Sequence, residues 1–277
     1  MKAALIQLNS SDDPTENLAV TQRLVAKAAD AKADFVLTPE VTNCVSANRA
    51  RQKEVLHPEA TDPTLAGLQA QARDLRIWLL IGSLALKTDD VDGRFANRSF
   101  LISAEGEVVA RYDKIHMFDV QVSEAETYRE SAGYRPGTHS VLTQTPVGKI
   151  GMTVCYDIRF PHLYRHLAGS GAEILTVPSA FSPVTGAAHW ETLLRARAIE
   201  TGCYVLAPAQ TGLHRAASGK QRETYGHSMA VGPWGDILAD GGTETGIVYV
   251  DLDLSEVTKA RQRIPSLDAA TEFDGPE

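Results

Sequence analysis

The chain predicts an α/β protein made of two halves of similar pattern, each a sheet covered by helices. Short apolar runs, β-branched in part, alternate with longer stretches of helical character, and that alternation implies helices packed on a sheet. The order strand, helix, strand, helix, strand, strand occurs twice, although the halves share no sequence identity. Two such halves can bury their bare sheet faces against each other. No linker rich in Pro, Gly or Ser divides them. The expectation is one domain over residues 1–265 and a polar, acidic, weakly ordered tail over 266–277.

The first half opens with a strand at residues 3–8. Asp13 can cap the next helix, Pro14 suits its first position, and Glu16 would complete a capping box. Leu18, Leu24, Val25 and Ala28 share one side of that helix. A strand at 34–39 runs into Glu40, and a helix at 63–75 leads to a strand at 78–86. Strands at 95–103 and 108–114 flank the Glu105-Gly106 turn. In the second half, strands at 149–155, 173–178 and 203–209 alternate with helices at 161–168 and 187–200. Runs at 227–231, 237–239 and 246–253 finish a sheet, and Ser255 caps a last helix.

Composition narrows the function classes. At 277 residues and 43% hydrophobic, the chain can bury a full core. A net charge of −8 argues against nucleic acid as a partner, which requires a basic surface, and gives no reason to expect a membrane surface. The N-terminal apolar run is too short for a signal peptide, and the stretch 78–86 is far below spanning length. A soluble, cytoplasmic protein is expected. Cys44, Cys155 and Cys203 are too few and too scattered for a disulfide framework or a cysteine zinc site. His162 and His166 have the spacing of two ligands on one helix face. No HExxH surrounds them, so they read as a solvated or hydrogen-bonded pair and no metal is expected.

Three residues stand where apolar strands end. Cys155 closes the run Ile150-Gly151-Met152-Thr153-Val154, where strand gives way to helix. A thiol on such a turn can have backbone N–H groups aimed at whatever it attacks. Alone it is more often a small buried hydrophobe. Glu40 follows Phe35-Val36-Leu37-Thr38-Pro39 and is alone a cap; Lys114 ends the strand at 108–114 and is alone a solvated charge. Together they read differently, at matching strand ends. The carboxylate can take the thiol proton, and the lysine favours a thiolate and a developing oxyanion.

With these residues in place the chain resembles the nitrilase superfamily of carbon–nitrogen hydrolases, from about Ala3 to Pro265. The resemblance rests on Leu37-Thr38-Pro39-Glu40, Tyr112-Asp113-Lys114-Ile115-His116-Met117-Phe118-Asp119 and Val154-Cys155-Tyr156-Asp157-Ile158-Arg159-Phe160-Pro161. Pro178-Ser179-Ala180-Phe181, His189-Trp190-Glu191, Leu194-Arg195-Ala196-Arg197 and Tyr225-Gly226-His227-Ser228-Met229 add to it. It implies a four-layer αββα sandwich and amide hydrolysis without any cofactor. It also implies a catalytic set of Glu40, Lys114 and Cys155 that works through a thioester on Cys155. Glu130 matches a supporting glutamate, and the Tyr156 N–H would share the oxyanion with Lys114.

Within the superfamily the Nit branch is most similar. It implies a small-molecule amide of a 2-oxo acid: deaminated glutathione, losing cysteinylglycine, or, as the alternative, 2-oxoglutaramate, losing ammonia; another small-amide hydrolase, a true nitrilase included, is the remaining enzyme reading. Arg159 would bind the acyl carboxylate, with Phe118 and Tyr156 as walls; a structural ion pair is its other reading. Arg195 and Arg197 read as packing or subunit-contact residues. A homodimer is implied, although the acidic tail Asp268-Ala269-Ala270-Thr271-Glu272 departs from the more basic one expected. A catalytically silent binding protein is the rival from another class, and the intact set of three argues against it.

Overall fold

The computed structural model describes residues 1–122 and 127–269, together with Gly275. The first half comprises β1 (Lys2–Gln7), α1 (Pro14–Asp30), β2 (Phe35–Leu37), α2 (Arg49–Val55), α3 (Pro63–Leu75), β3 (Trp78–Leu86), β4 (Ala96–Ile102) and β5 (Val108–Asp113). A short antiparallel pair follows, β6 (Asp119–Gln121) and β7 (Thr127–Arg129). The second half comprises β8 (Val141–Thr145), β9 (Gly148–Met152), α4 (Pro161–Gly169), β10 (Ile174–Thr176), α5 (Pro183–Thr201) and β11 (Tyr204–Ala207). A second antiparallel pair, β12 (Thr211–Leu213) and β13 (Glu223–Tyr225), precedes β14 (Met229–Val231), β15 (Ile237–Asp240), β16 (Gly246–Asp251) and α6 (Ser255–Arg263).

The two sheets follow one plan. The first has the order β16-β1-β2-β3-β4-β5 and the second β8-β9-β10-β11-β14-β15. In each, an antiparallel edge strand precedes three parallel strands and an antiparallel pair. Strand alternation builds the layers. Ala4, Ile6, Val36, Leu79 and Ile81 face outward and pack on Val25 and Ala28 of α1 and Leu65, Leu68 and Ala72 of α3. Ala3, Leu5, Phe35, Leu37 and Leu80 face inward and join Ile150, Met152, Leu175 and Val205 of the second sheet in one core. Leu163 and Leu167 of α4 and Trp190 and Leu194 of α5 complete that core on the far side. Each fully buried Leu or Phe contributes about 2 kcal/mol. The layer order is the expected αββα. At Gly82 of β3 the sheets leave no room for a side chain. A Cβ there would lie 2.4 Å from Pro178 Cβ and 2.0 Å from Thr38 O.

Several local expectations are corrected. β16 does not finish the second sheet; it pairs antiparallel with β1, Lys2 opposite Asp251, and fills in the first sheet the place that β8 fills in the second. β9 ends at Met152, and Cys155 stands in a 3-10 turn spanning Cys155–Arg159. Helix α5 starts at Pro183, earlier than residue 187. Asp13 caps α1 by accepting from Thr15 and Glu16 N–H, but Ser11 Oγ, not Glu16, takes the Asp13 N–H. Ser255 is the first residue of α6 and makes no cap; its N–H donates to Asp253 Oδ1. Residues 266–269 of the expected loose tail lie against α4, with Arg165 donating to Ser266 O. Residues 270–274, 276 and 277 lie outside the described residues. Among those described, no helix is long and apolar enough to cross a membrane.

Candidate active site

A cavity of about 410 Å³ opens between the ends of the two sheets, lined by Glu40, Lys114, Phe118, Glu130, Cys155 and Tyr156 among others. That size suits a small metabolite. Glu40 follows β2, and its carboxylate is almost fully occupied. Oε1 accepts from Lys114 Nζ at 3.0 Å and Asn97 Nδ2 at 2.8 Å, and Oε2 accepts from Ala180 N–H at 2.8 Å. The Cys155 thiol is hydrogen-bonded to the same carboxylate. Lys114 follows β5, held by its own N–H on Asn97 O at 3.0 Å. Its ammonium bridges Glu40 and both oxygens of Glu130, at 2.9 and 2.8 Å.

Cys155 is placed by its backbone. Its φ of 49° is left-handed, a conformation that costs a non-glycine residue about 1 kcal/mol or more. The surroundings enforce it. The Cys155 N–H donates to Pro178 O at 3.0 Å. Asp157, wholly buried, accepts from Val154 N–H and Tyr112 O–H with one oxygen. Its other oxygen accepts from His116 N–H and pairs with His116 Nδ1. This one carboxylate therefore ties the nucleophile turn to the segment just after Lys114.

The charges follow from this packing. Burial pushes the Glu40 carboxyl up, but Lys114 and Arg222 outweigh it and hold it below its ordinary value. Burial pulls the Lys114 ammonium down, and the charges of Glu130 and Glu40 reverse this to leave it well above. Burial and then the Glu40 charge push the Cys155 thiol up, against the pull of Lys114. At neutral pH the resting site holds a carboxylate, an ammonium and a neutral thiol. The thiol proton has an ionised acceptor beside it.

All the expected residues but one line the cavity. β6 pairs with β7 so that Phe118 and Glu130 stand just outside the Asp119–Arg129 pair, and Phe118 N–H donates to Glu130 Oε2 at 2.6 Å. Phe118 packs between Tyr128, tilted, and Tyr156, edge-on, with ring centres at 4.9 and 5.0 Å. Arg159 is the exception: its guanidinium lies over the Tyr156 and Phe181 rings, at 6.0 and 5.5 Å, with NH2 3.2 Å from His189 Nδ1. Among the described residues no carboxylate lies within ion-pair distance of it. Arg197 is a packing residue, buried, donating to Ile158 O and lying over Tyr164. Arg195 bonds Gly235 O and Glu191. His162 lies edge-on to His116 and Phe160. Asn97 and Arg222 were missed. The one sign of Asn97 is a polar residue in a buried strand, and Arg222 lies in a loop without pattern.

A strained cysteine turn beside a carboxylate and an ammonium, between two packed α/β sheets, defines a hydrolase site of the cysteine type. The chain belongs to the carbon–nitrogen hydrolase family, which it matches over residues 2–262. It is 40% identical over 265 residues to the deaminated glutathione amidase of Yersinia enterocolitica, covering 95% of this chain and 91% of that one. The crystal structure of the Caenorhabditis elegans NitFhit protein superposes with a TM-score of 0.89 at 35% identity, over 97% of this chain and 64% of that longer chain. Saccharomyces cerevisiae Nit3, a member of branch 10 of the nitrilase superfamily, gives 0.83 at 29%, over 96% and 94%.

Proposed function

We propose that this chain hydrolyses deaminated glutathione to 2-oxoglutarate and cysteinylglycine through a thioester on Cys155. The observation that carries the reading is the sharing of one buried carboxylate, Glu40, by Lys114 Nζ, Ala180 N–H and the Cys155 thiol within a single cavity. The relatives named above supply the substrate class. Cys155 Sγ attacks the amide carbonyl as Glu40 takes its proton. Lys114 and the Tyr156 N–H hold the tetrahedral oxyanion. Glu40 hands its proton to the leaving nitrogen, the C–N bond breaks, and the thioester remains. Water then gives a proton to Glu40 and its oxygen to the acyl carbon, and the acid leaves as the thiol is restored. Glu130 positions Lys114, and Phe118 and Tyr156 wall the acyl chain; Arg159, which lies over the Tyr156 ring and does not line the cavity, contributes its positive charge at that aromatic end rather than a direct contact.

The second reading is 2-oxoglutaramate, which forms the same acyl-enzyme and loses ammonia. Cytoplasmic residence and a homodimer complete the proposal. The test is kcat/KM for both amides side by side, with a preference for deaminated glutathione of at least about tenfold expected, or roughly 1.4 kcal/mol. A clear preference for 2-oxoglutaramate overturns the substrate choice.

A further inference from the structure

The cavity has two unlike ends. One is aromatic, with Phe118, Tyr128 and Tyr156 in contact. The other lies past Glu40, where Tyr134 packs edge-on against Phe95 and Gln52 donates to the Tyr134 hydroxyl. Two arginines from distant parts of the chain line this second end, Arg49 at the start of α2 and Arg222 just before β13. The segments that carry them touch, Asn48 Nδ2 donating to Ser218 Oγ at 3.2 Å. Among the described residues neither guanidinium has a carboxylate within ion-pair distance, although the chain as a whole carries a net charge of −8.

The two cations are not equivalent. Arg49 lies over the Phe95 ring at 3.9 Å and donates to Gly133 O and to Gly93 O at 2.7 Å, so it is a strut in the wall. Arg222 is half-buried, and among the described residues its side chain makes one hydrogen bond, NH2 to Ala180 O at 2.7 Å. A guanidinium has five N–H donors in a planar fork suited to a carboxylate. Arg222 lines the cavity, and among the described residues one donor of that fork is engaged. Ala180 itself donates to Glu40 Oε2, so Arg222 is one residue away from the group that protonates the departing nitrogen.

We propose that Arg222 binds a carboxylate carried by the leaving amine, making it the residue that selects amides of a carboxylate-bearing amine over primary amides. This rests on the reaction proposed above: the acyl part lies toward the aromatic end, and the amine part departs past Glu40. Deaminated glutathione carries such a carboxylate on its glycine, and 2-oxoglutaramate carries none. Arg49 adds positive potential at the same end without spending a donor on the ligand.

The first experiment compares Arg222→Gln and Arg222→Lys with the unaltered protein on both amides. One charge-assisted bond at a desolvated site corresponds to about 10- to 100-fold. In Arg222→Gln the ratio of kcat/KM for deaminated glutathione to that for 2-oxoglutaramate falls by about this factor, mainly through KM, and Arg222→Lys restores part of it. An unchanged ratio overturns the inference, as does an equal loss on both, which would make Arg222 a support for Glu40. The second experiment needs neither substrate to be correct. Alanylglycine and alanylglycinamide are compared as protectants of Cys155 against iodoacetamide. The free carboxylate protects the unaltered protein at concentrations at least about tenfold lower, and Arg222→Gln removes the difference. Equal protection by both overturns the inference. Selective protection in a protein that hydrolyses neither amide keeps the inference and sinks the reaction.

Discussion

The two sheets are built alike, yet each supplies its chemistry from a different strand. Ala3 of β1 pairs with Phe35 of β2 in the first sheet, as Ile150 of β9 pairs with Ile174 of β10 in the second. Glu40 lies as many residues past Phe35 as Ser179 lies past Ile174. Cys155 lies as many past Ile150 as Leu8 lies past Ala3. The strand ends that carry Glu40 and Cys155 are therefore not equivalent, contrary to the expectation of matching places. Of the two strand ends compared in each sheet, one is reactive and one silent, and Lys114 joins the first sheet's reactive end from β5. The silent ends are both bridged to the same short segment, Leu8 to Gln210 and Ser179 to Ala209. One pair of positions does chemistry while its structural counterpart sews the halves together. The reactive ends also differ in how they are held: Glu40 by donors around its carboxylate, Cys155 by backbone strain.

Substitutions at the four positions separate along that division. Cys155→Ala lowers turnover by at least about 10⁴-fold with the thermal midpoint little changed, and retained turnover would end the assignment. Glu40→Gln lowers it by about 10² to 10⁴-fold while Cys155 still takes iodoacetamide; near-normal acylation and deacylation would remove Glu40 as the base. Leu8→Ala does the reverse, costing about 2–5 kcal/mol of stability by denaturant titration while the folded fraction keeps its turnover. Ser179→Ala changes either quantity least, because among the described residues its hydroxyl bonds only Val177 O, two residues away.

The sewn seam has its own pH signature. His214 is buried there, Nδ1–H donating to Ser10 O and Nε2 accepting from the Thr224 hydroxyl. Burial pulls its pKa from 6.5 down to about 4. The unfolded chain therefore binds the proton first, and the stability from a neutral His214 is present above about pH 6.5 and lost as pH falls toward 4. The loss is about 3 kcal/mol at about 1.4 kcal/mol per unit. Denaturant titrations at stepped pH should show this slope, and His214→Gln should flatten it. A slope unchanged by that substitution would place the acid sensitivity elsewhere.

Sequence alone was sufficient for what depends on periodicity and strand ends. The three parallel strands of each sheet read as apolar runs because both their faces are buried. Glu40 stood out as a charge closing such a run, whereas Lys114 ends β5, an antiparallel edge strand only partly buried, and not the buried strand expected of it. What depends on pairing was not legible. Nothing in residues 246–253 tells whether the strand joins the nearer sheet or crosses to β1, since either partner buries the same alternating face. Glu130 and Phe118 flank three-residue strands too short for a periodic signal, and only family resemblance marked them. Arg222 gains its meaning from a loop that folds back over Ala180.

One hydrogen atom spaces the reaction. Gly82 touches Thr38 and Pro39, which lead into Glu40, and Pro178, whose carbonyl holds the Cys155 N–H. A methyl group there would act as a shim between base and nucleophile. A survey of lost activity would thus score position 82 with the chemical residues, although it contributes no functional group and its gain is purely an absence.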